Sequence, residues 1–117
     1  MCHKIKTISK VKRGEITYCS SCGMYHLSFN NIYFEFNRKQ LLKFRKHIAE
    51  IDADIWEKSY ANIRGNRKIP VQTLHQSLYL IFNKEELIEL RALLEIDTHF
   101  KQQIISTQDI DYPLILN

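Results

Sequence analysis

Two cysteines three positions apart, Cys19 and Cys22, are followed by Gly23 and, four residues after Cys22, by His26. A Cys-x2-Cys turn places two thiolates on one tetrahedral ion, and a glycine after the second cysteine relieves the tight turn. Two further ligands are needed. Cys2 is the third candidate by chemistry, and His26 is the fourth, with His3, adjacent to Cys2, as its rival. Glu35 is expected to hold the other imidazole nitrogen of His26, as carboxylates commonly do behind a metal-bound histidine. The expected ion is zinc, with iron not distinguished.

A redox dithiol is the weaker reading. Such a pair opens a helix whose N-terminus lowers the nucleophile's pKa, whereas "GMYHLSF" continues as a strand pattern. A catalytic zinc with His26 and Glu35 recast as base and orienter is possible chemistry, but no spacing favours it over a closed structural site. Plain thiols without an ion are the simplest alternative. An odd count of three cysteines is poor material for a disulfide framework.

The elements around these residues follow from hydropathy patterning. "KIKTISKVKRGEITYC" reads as a hairpin turning at Arg13-Gly14, which brings the neighbourhood of Cys2 alongside Cys19 and Cys22. "MYHLSFNNIYFEF" reads as a second hairpin turning at Asn30-Asn31, because asparagine tolerates positive φ. That turn sets Phe29 against Ile32, Leu27 against Phe34 and Tyr25 against Phe36 on one apolar face. His26 then faces Glu35 on the other side. Leu41, Phe44, Ile48, Ile51 and Ile55 form a helical stripe, predicted to run to about Tyr60.

Residues 32–48 align without gaps on residues 78–94, with identities at Tyr33/Tyr79, Phe36/Phe82, Asn37/Asn83, Leu41/Leu87 and Arg45/Arg91. Asn37 with Gln40, and Asn83 with Glu86, give the same capping-box pattern. The expected fold is α+β within a single domain, 1–117. An N-terminal basic hairpin with the cysteine knuckle (1–29) precedes two strand-strand-helix units (25–62 and 67–106) and a tail (107–117). The units are a possible internal duplication, forming a mainly antiparallel sheet covered by two helices.

The formal charge of +4 is unevenly spread: residues 1–68 carry 14 Lys/Arg against 6 Asp/Glu, and residues 69–117 carry 3 against 7. The basic candidates for phosphate contact are Lys4, Lys6, Lys10, Lys12 and Arg13 on the first hairpin. Arg38, Lys39, Lys43 and Lys46 follow on the first helix, and Arg64, Arg67 and Lys68 in the connector. No apolar run is long enough to span a membrane, and the opening residues lack a signal-peptide core, so a cytoplasmic location is expected.

The opening Met-Cys, "ITYCSSCGMYHLSF", "IYFEF", "IDADIW" and "RKIPVQT" followed by "LYLIFNKEEL" resemble a family of short uncharacterised bacterial proteins, a domain of unknown function. The resemblance covers nearly the whole chain. It implies a stand-alone small protein and lends weight to Cys2, Cys19 and Cys22 as a group, but it implies no activity. The leading expectation is a non-enzymatic binding module with a structural zinc, engaging nucleic acid or a nucleoprotein assembly through its basic front. The alternative is a protein-protein adaptor or homodimer, with a small zinc or thiol enzyme as a third possibility.

Overall fold

A computed structural model describes residues 4–62, 65–97 and 99. Four strands, β1 (Ile5–Val11), β2 (Gly14–Cys19), β3 (Met24–Phe29) and β4 (Ile32–Phe36), form an antiparallel meander in chain order. Helix α1 (Arg38–Glu50) and the short α2 (Ala53–Ser59) follow, then β5 (Ile69–Gln72) and β6 (Tyr79–Phe82) as a separate two-stranded sheet, then α3 (Lys84–Leu93). The fold is α+β.

The β3–β4 hairpin has the predicted register, with Asn30 at φ 54° supplying the turn, Leu27 opposite Phe34 and His26 opposite Glu35. In β1 the strand alternation is reset by a bulge between Thr7 and Ser9. Ile8 and Val11 thereby pack against the core while Ile5 stays exposed. Val11 pairs with Gly14, so the turn residues are Lys12 and Arg13, one position earlier than the glycine suggested. Gly14 is instead needed for close approach. A Cβ there would lie 2.2 Å from the Ser28 carbonyl oxygen.

Both capping boxes form. Asn37 accepts from the Gln40 amide and Gln40 returns the bond, and Asn83 does the same with Glu86. The buried stripes Leu41, Phe44, Ile48 of α1 and Leu87, Leu90, Leu93 of α3 then meet the apolar face of the large sheet. Helix α1 lies against β3 and β4, and α3 against β1 and β2.

The first helix stops earlier than its stripe predicted. Ile51 is extended, and Asp52 starts α2 by accepting from the Ile55 amide, so Ile55 leaves the core and is exposed. An aspartate prefers this capping position to a helix interior, and the helical period carried no warning of it. Arg91 donates to the carbonyls of Ile48 and Ile51, groups that the broken helix leaves open. The tail (107–117) and the end of the second expected unit lie outside the described residues.

Candidate metal centre and basic surface

The cysteine knuckle sits where β2 ends. Cys19 is fully buried, the Gly23 amide closes the turn onto the Cys19 carbonyl at 2.8 Å, and Gly23 takes φ +72°, the left-handed value glycine accepts without strain. The β1–β2 ladder pairs Ile5 with Cys19, and the Ser20 amide donates to the Lys4 carbonyl at 3.2 Å. Against the expectation from the odd cysteine count, neither Cys19 nor Cys22 carries a free thiol here: both are disulfide-bonded, and the Cys19 Sγ also lies 3.1 Å from the Ser21 hydroxyl. Cys2 and His3 lie outside the described residues. Among the described residues no three His, Cys, Asp or Glu side chains form a group that would hold a metal.

His26 occupies the polar face of the sheet. Register puts it opposite Thr17 on β2 and Glu35 on β4, on the same face as Cys19 and diagonal to it. Its Nδ1 lies 2.7 Å from the Tyr33 hydroxyl and 3.4 Å from a Glu35 oxygen. Tyr33 also hydrogen-bonds Glu35, and partial desolvation together with the Glu35 charge raises the phenol pKa. A carboxylate only accepts, so the phenol donates to Glu35 and its oxygen accepts from Nδ1–H. The imidazole is thereby fixed as the tautomer with a bare Nε2, an assignment made from the network. That Nε2 is buried and has no hydrogen-bond partner among the described residues.

Thr17, Ser28, Glu15 and Ile5 complete a concavity of about 400 Å³ around His26, Tyr33 and Glu35. Sequence reasoning placed Glu35 behind His26 but missed Tyr33, the residue that closes the relay. The signal was available: Tyr33 opposes Ser28, two residues from the His26–Glu35 pair and so on the same exposed face.

The predicted basic residues divide into two sets. Arg13 is held by Glu89, its backbone amide and its guanidinium each donating at 2.7 Å, and Arg67 is held by Glu86. Arg38 is half-buried and engaged, Lys68 is half-buried beside the Ala61 carbonyl, and Arg64 lies outside the described residues. By contrast Lys4, Lys6, Lys10 and Lys12 on the first hairpin, and Lys39, Lys43 and Lys46 on α1, are exposed and enter no ion pair among the described residues. No described helix is long and apolar enough to cross a membrane.

A family profile described as a family of unknown function (DUF6686) matches residues 1–117. No curated protein and no solved structure matches the chain.

Proposed function

This chain belongs to the DUF6686 family of unknown function, so its role has to be read from its own surface, and we propose that it is a zinc-tied nucleic-acid-binding module. The observation that carries the binding claim is the split among its cations. Arg13 and Arg67 are tied to carboxylates of α3, while seven lysines on the first hairpin and α1 stand in solvent without acidic partners among the described residues. Exposed, uncompensated lysines attract phosphate through counterion release and carry no sequence preference of their own.

The zinc would sit between Cys2, Cys19, Cys22 and the bare Nε2 of His26. Support comes from the orphaned nitrogen: a buried imidazole whose other nitrogen is held through Tyr33 by Glu35 is built as a ligand or leaves a polar atom unsatisfied. Chain connectivity helps, since Cys2 is two residues from Lys4 and so within about 7 Å of it, Cα to Cα. The ion needs thiolates, so the metal form is the reduced form. Its role would be to clamp the first strand to the end of the sheet.

Metal content of reductively purified protein tests the clamp. About one zinc per chain is expected, falling to near zero in Cys19→Ser and strongly reduced in His26→Ala; a metal-free wild type ends the zinc claim. For binding, anisotropy of a labelled single strand should lose affinity as salt rises. Replacing Lys39, Lys43 and Lys46 by Gln should lower the log–log salt slope by about 2. No binding even at low salt would discard the nucleic-acid reading.

A protein adaptor or homodimer is the second reading, favoured by one feature. Tyr79 and Ile81 on the outer side of β6 are more than half exposed, as are Leu74 and, at half, Leu78 in the preceding turn. Light scattering at increasing concentration would show that state directly.

A further inference from the structure

Helix α1 and the β5–β6 connection enclose a cleft of about 330 Å³ between Lys43, Phe44 and His47 on one side and Gln72, Leu74 and Gln76 on the other. It lies outside the zinc and relay region, and its lining differs in kind. Its apolar lining comes from both sides, Phe44 on α1 and the exposed Leu74 on the turn, while two side-chain amides, Gln72 and Gln76, share the Leu74 side and Lys43 is the one lysine or arginine in the lining. A volume near the lower end of the roughly 300–1,000 Å³ typical of small-ligand sites suits one nucleotide unit and excludes a duplex.

We infer that this cleft receives one unstacked base of a single strand whose phosphates run along the lysine face of α1. The inference rests on the nucleic-acid reading above and deepens it. Lys43 belongs to both surfaces. Lys39 precedes it by four residues and Lys46 follows by three, so all three share one helix face over about 10 Å. Base recognition on single strands combines an apolar or aromatic wall with hydrogen-bond groups for the base edge. Gln72 and Gln76 each bring a donor and an acceptor.

The walls are held in advance. The Gln72 backbone N–H donates to His47 Nε2 at 3.2 Å, tying β5 to α1 and leaving Nδ1–H as the ring's remaining donor. Thr73 donates its hydroxyl proton to the Leu78 carbonyl at 2.8 Å and accepts from the His75 amide at 3.1 Å, and the Leu78 amide returns to the His75 carbonyl at 3.1 Å. These bonds close the turn that carries Leu74 and Gln76, so little ordering entropy is left for binding.

The test uses the reductively purified 117-residue chain and anisotropy of a labelled strand of about 12 nucleotides, single and as its duplex. Wild type should favour the single strand. Leu74→Trp, which fills the cleft, and the pair Gln72→Leu with Gln76→Leu, which removes the edge-reading groups, should each weaken single-strand binding about tenfold. Duplex binding, set by the untouched lysines, should stay within about twofold. Equal losses for both forms, or no loss in either variant with the fold intact by circular dichroism, overturn the cleft assignment alone. Wild type that binds neither form at low salt overturns the nucleic-acid reading and the cleft with it. Wild type that self-associates and binds no strand, with Leu74→Trp monomeric, assigns the surface to protein instead.

Discussion

Arg67 lays its guanidinium across the Glu86 carboxylate, Nε to Oε1 at 3.0 Å and Nη2 to Oε2 at 2.9 Å, and the Glu86 side chain is only 4% exposed. The same carboxylate accepts from the Asn83 amide at 2.9 Å and from the Asn30 side-chain amide at 3.2 Å. One carboxylate therefore completes the α3 capping box, anchors the β3–β4 turn and fixes the residue leading into β5. Glu86→Ala leaves these donors unpaired at once and should cost about 2–3 kcal/mol in urea unfolding. Glu86→Gln, which keeps the shape and one acceptor, should cost less. A loss below about 0.5 kcal/mol for the alanine variant would show that water satisfies the donors instead.

Acid should lower the protein's stability in two pH windows. The His99 pKa is lowered by burial and by the nearby charges of Lys6 and Arg38, with its Nε2 2.9 Å from the Tyr25 hydroxyl. A lowered folded pKa means the unfolded chain takes the proton first. The His99 contribution is thus full above the ordinary histidine value of 6.5 and declines as pH falls below it. Glu86 is likewise lowered, chiefly by the Arg67 hydrogen bonds, so its contribution is full above 4.5 and is lost further into acid. Denaturation midpoints measured from neutral pH downward should fall in both windows, and His99→Gln should remove the upper decline only. A flat profile down to about pH 5 would contradict the His99 assignment.

Two glycines should respond differently to alanine. At Gly14 a Cβ would meet backbone, the Ser28 oxygen at 2.2 Å and the Phe29 Cα at 3.0 Å, so adjacent strands must separate. About 3 kcal/mol of destabilisation is expected. At Gly23 there is open space, and only the positive φ of 72° resists a side chain. About 1 kcal/mol is expected there, with Gly23→Asn milder than Gly23→Ala. Thermal unfolding of the three variants ranks them, and a ranking with Gly23→Ala worst would mean the knuckle carries more constraint than its turn.

Much of this was legible in the sequence, and the gaps have causes. The β3–β4 register could be read because Asn30-Asn31 fixes the turn and one face is apolar, so a slip by one residue would bury Glu35 and expose Phe36. Both capping boxes were local patterns. The α1 break was hidden because Ile51 and Ile55 keep the helical period while Asp52 quietly changes role. Arg13 and Arg67 looked like surface cations since their partners, Glu89 and Glu86, are 76 and 19 residues away. Long-range pairing of that kind has no one-dimensional signature. The same holds for the cleft, whose walls come from α1 and a turn nearly thirty residues later.

The gapless alignment of residues 32–48 on 78–94 makes a final comparison possible. Arg45 and Arg91 are equivalent in the gapless alignment, yet their surroundings differ. Arg45 pairs with Asp97 at 2.7 Å, where the aspartate is 67% exposed, whereas Arg91 is half-buried and donates to the main-chain carbonyls of Ile48 and Ile51. Solvent screens the first interaction; in the second, removal strands carbonyls at the end of α1. Arg91→Ala should therefore cost about 2 kcal/mol, and Arg45→Ala no more than about 0.5 kcal/mol. Arg91→Lys should recover only part of the loss, because a single ammonium cannot present the planar fork that reaches two carbonyls three residues apart. Equal effects at the two positions would mean that the α1 terminus draws its stability from packing of Ile48 and not from its capped carbonyls.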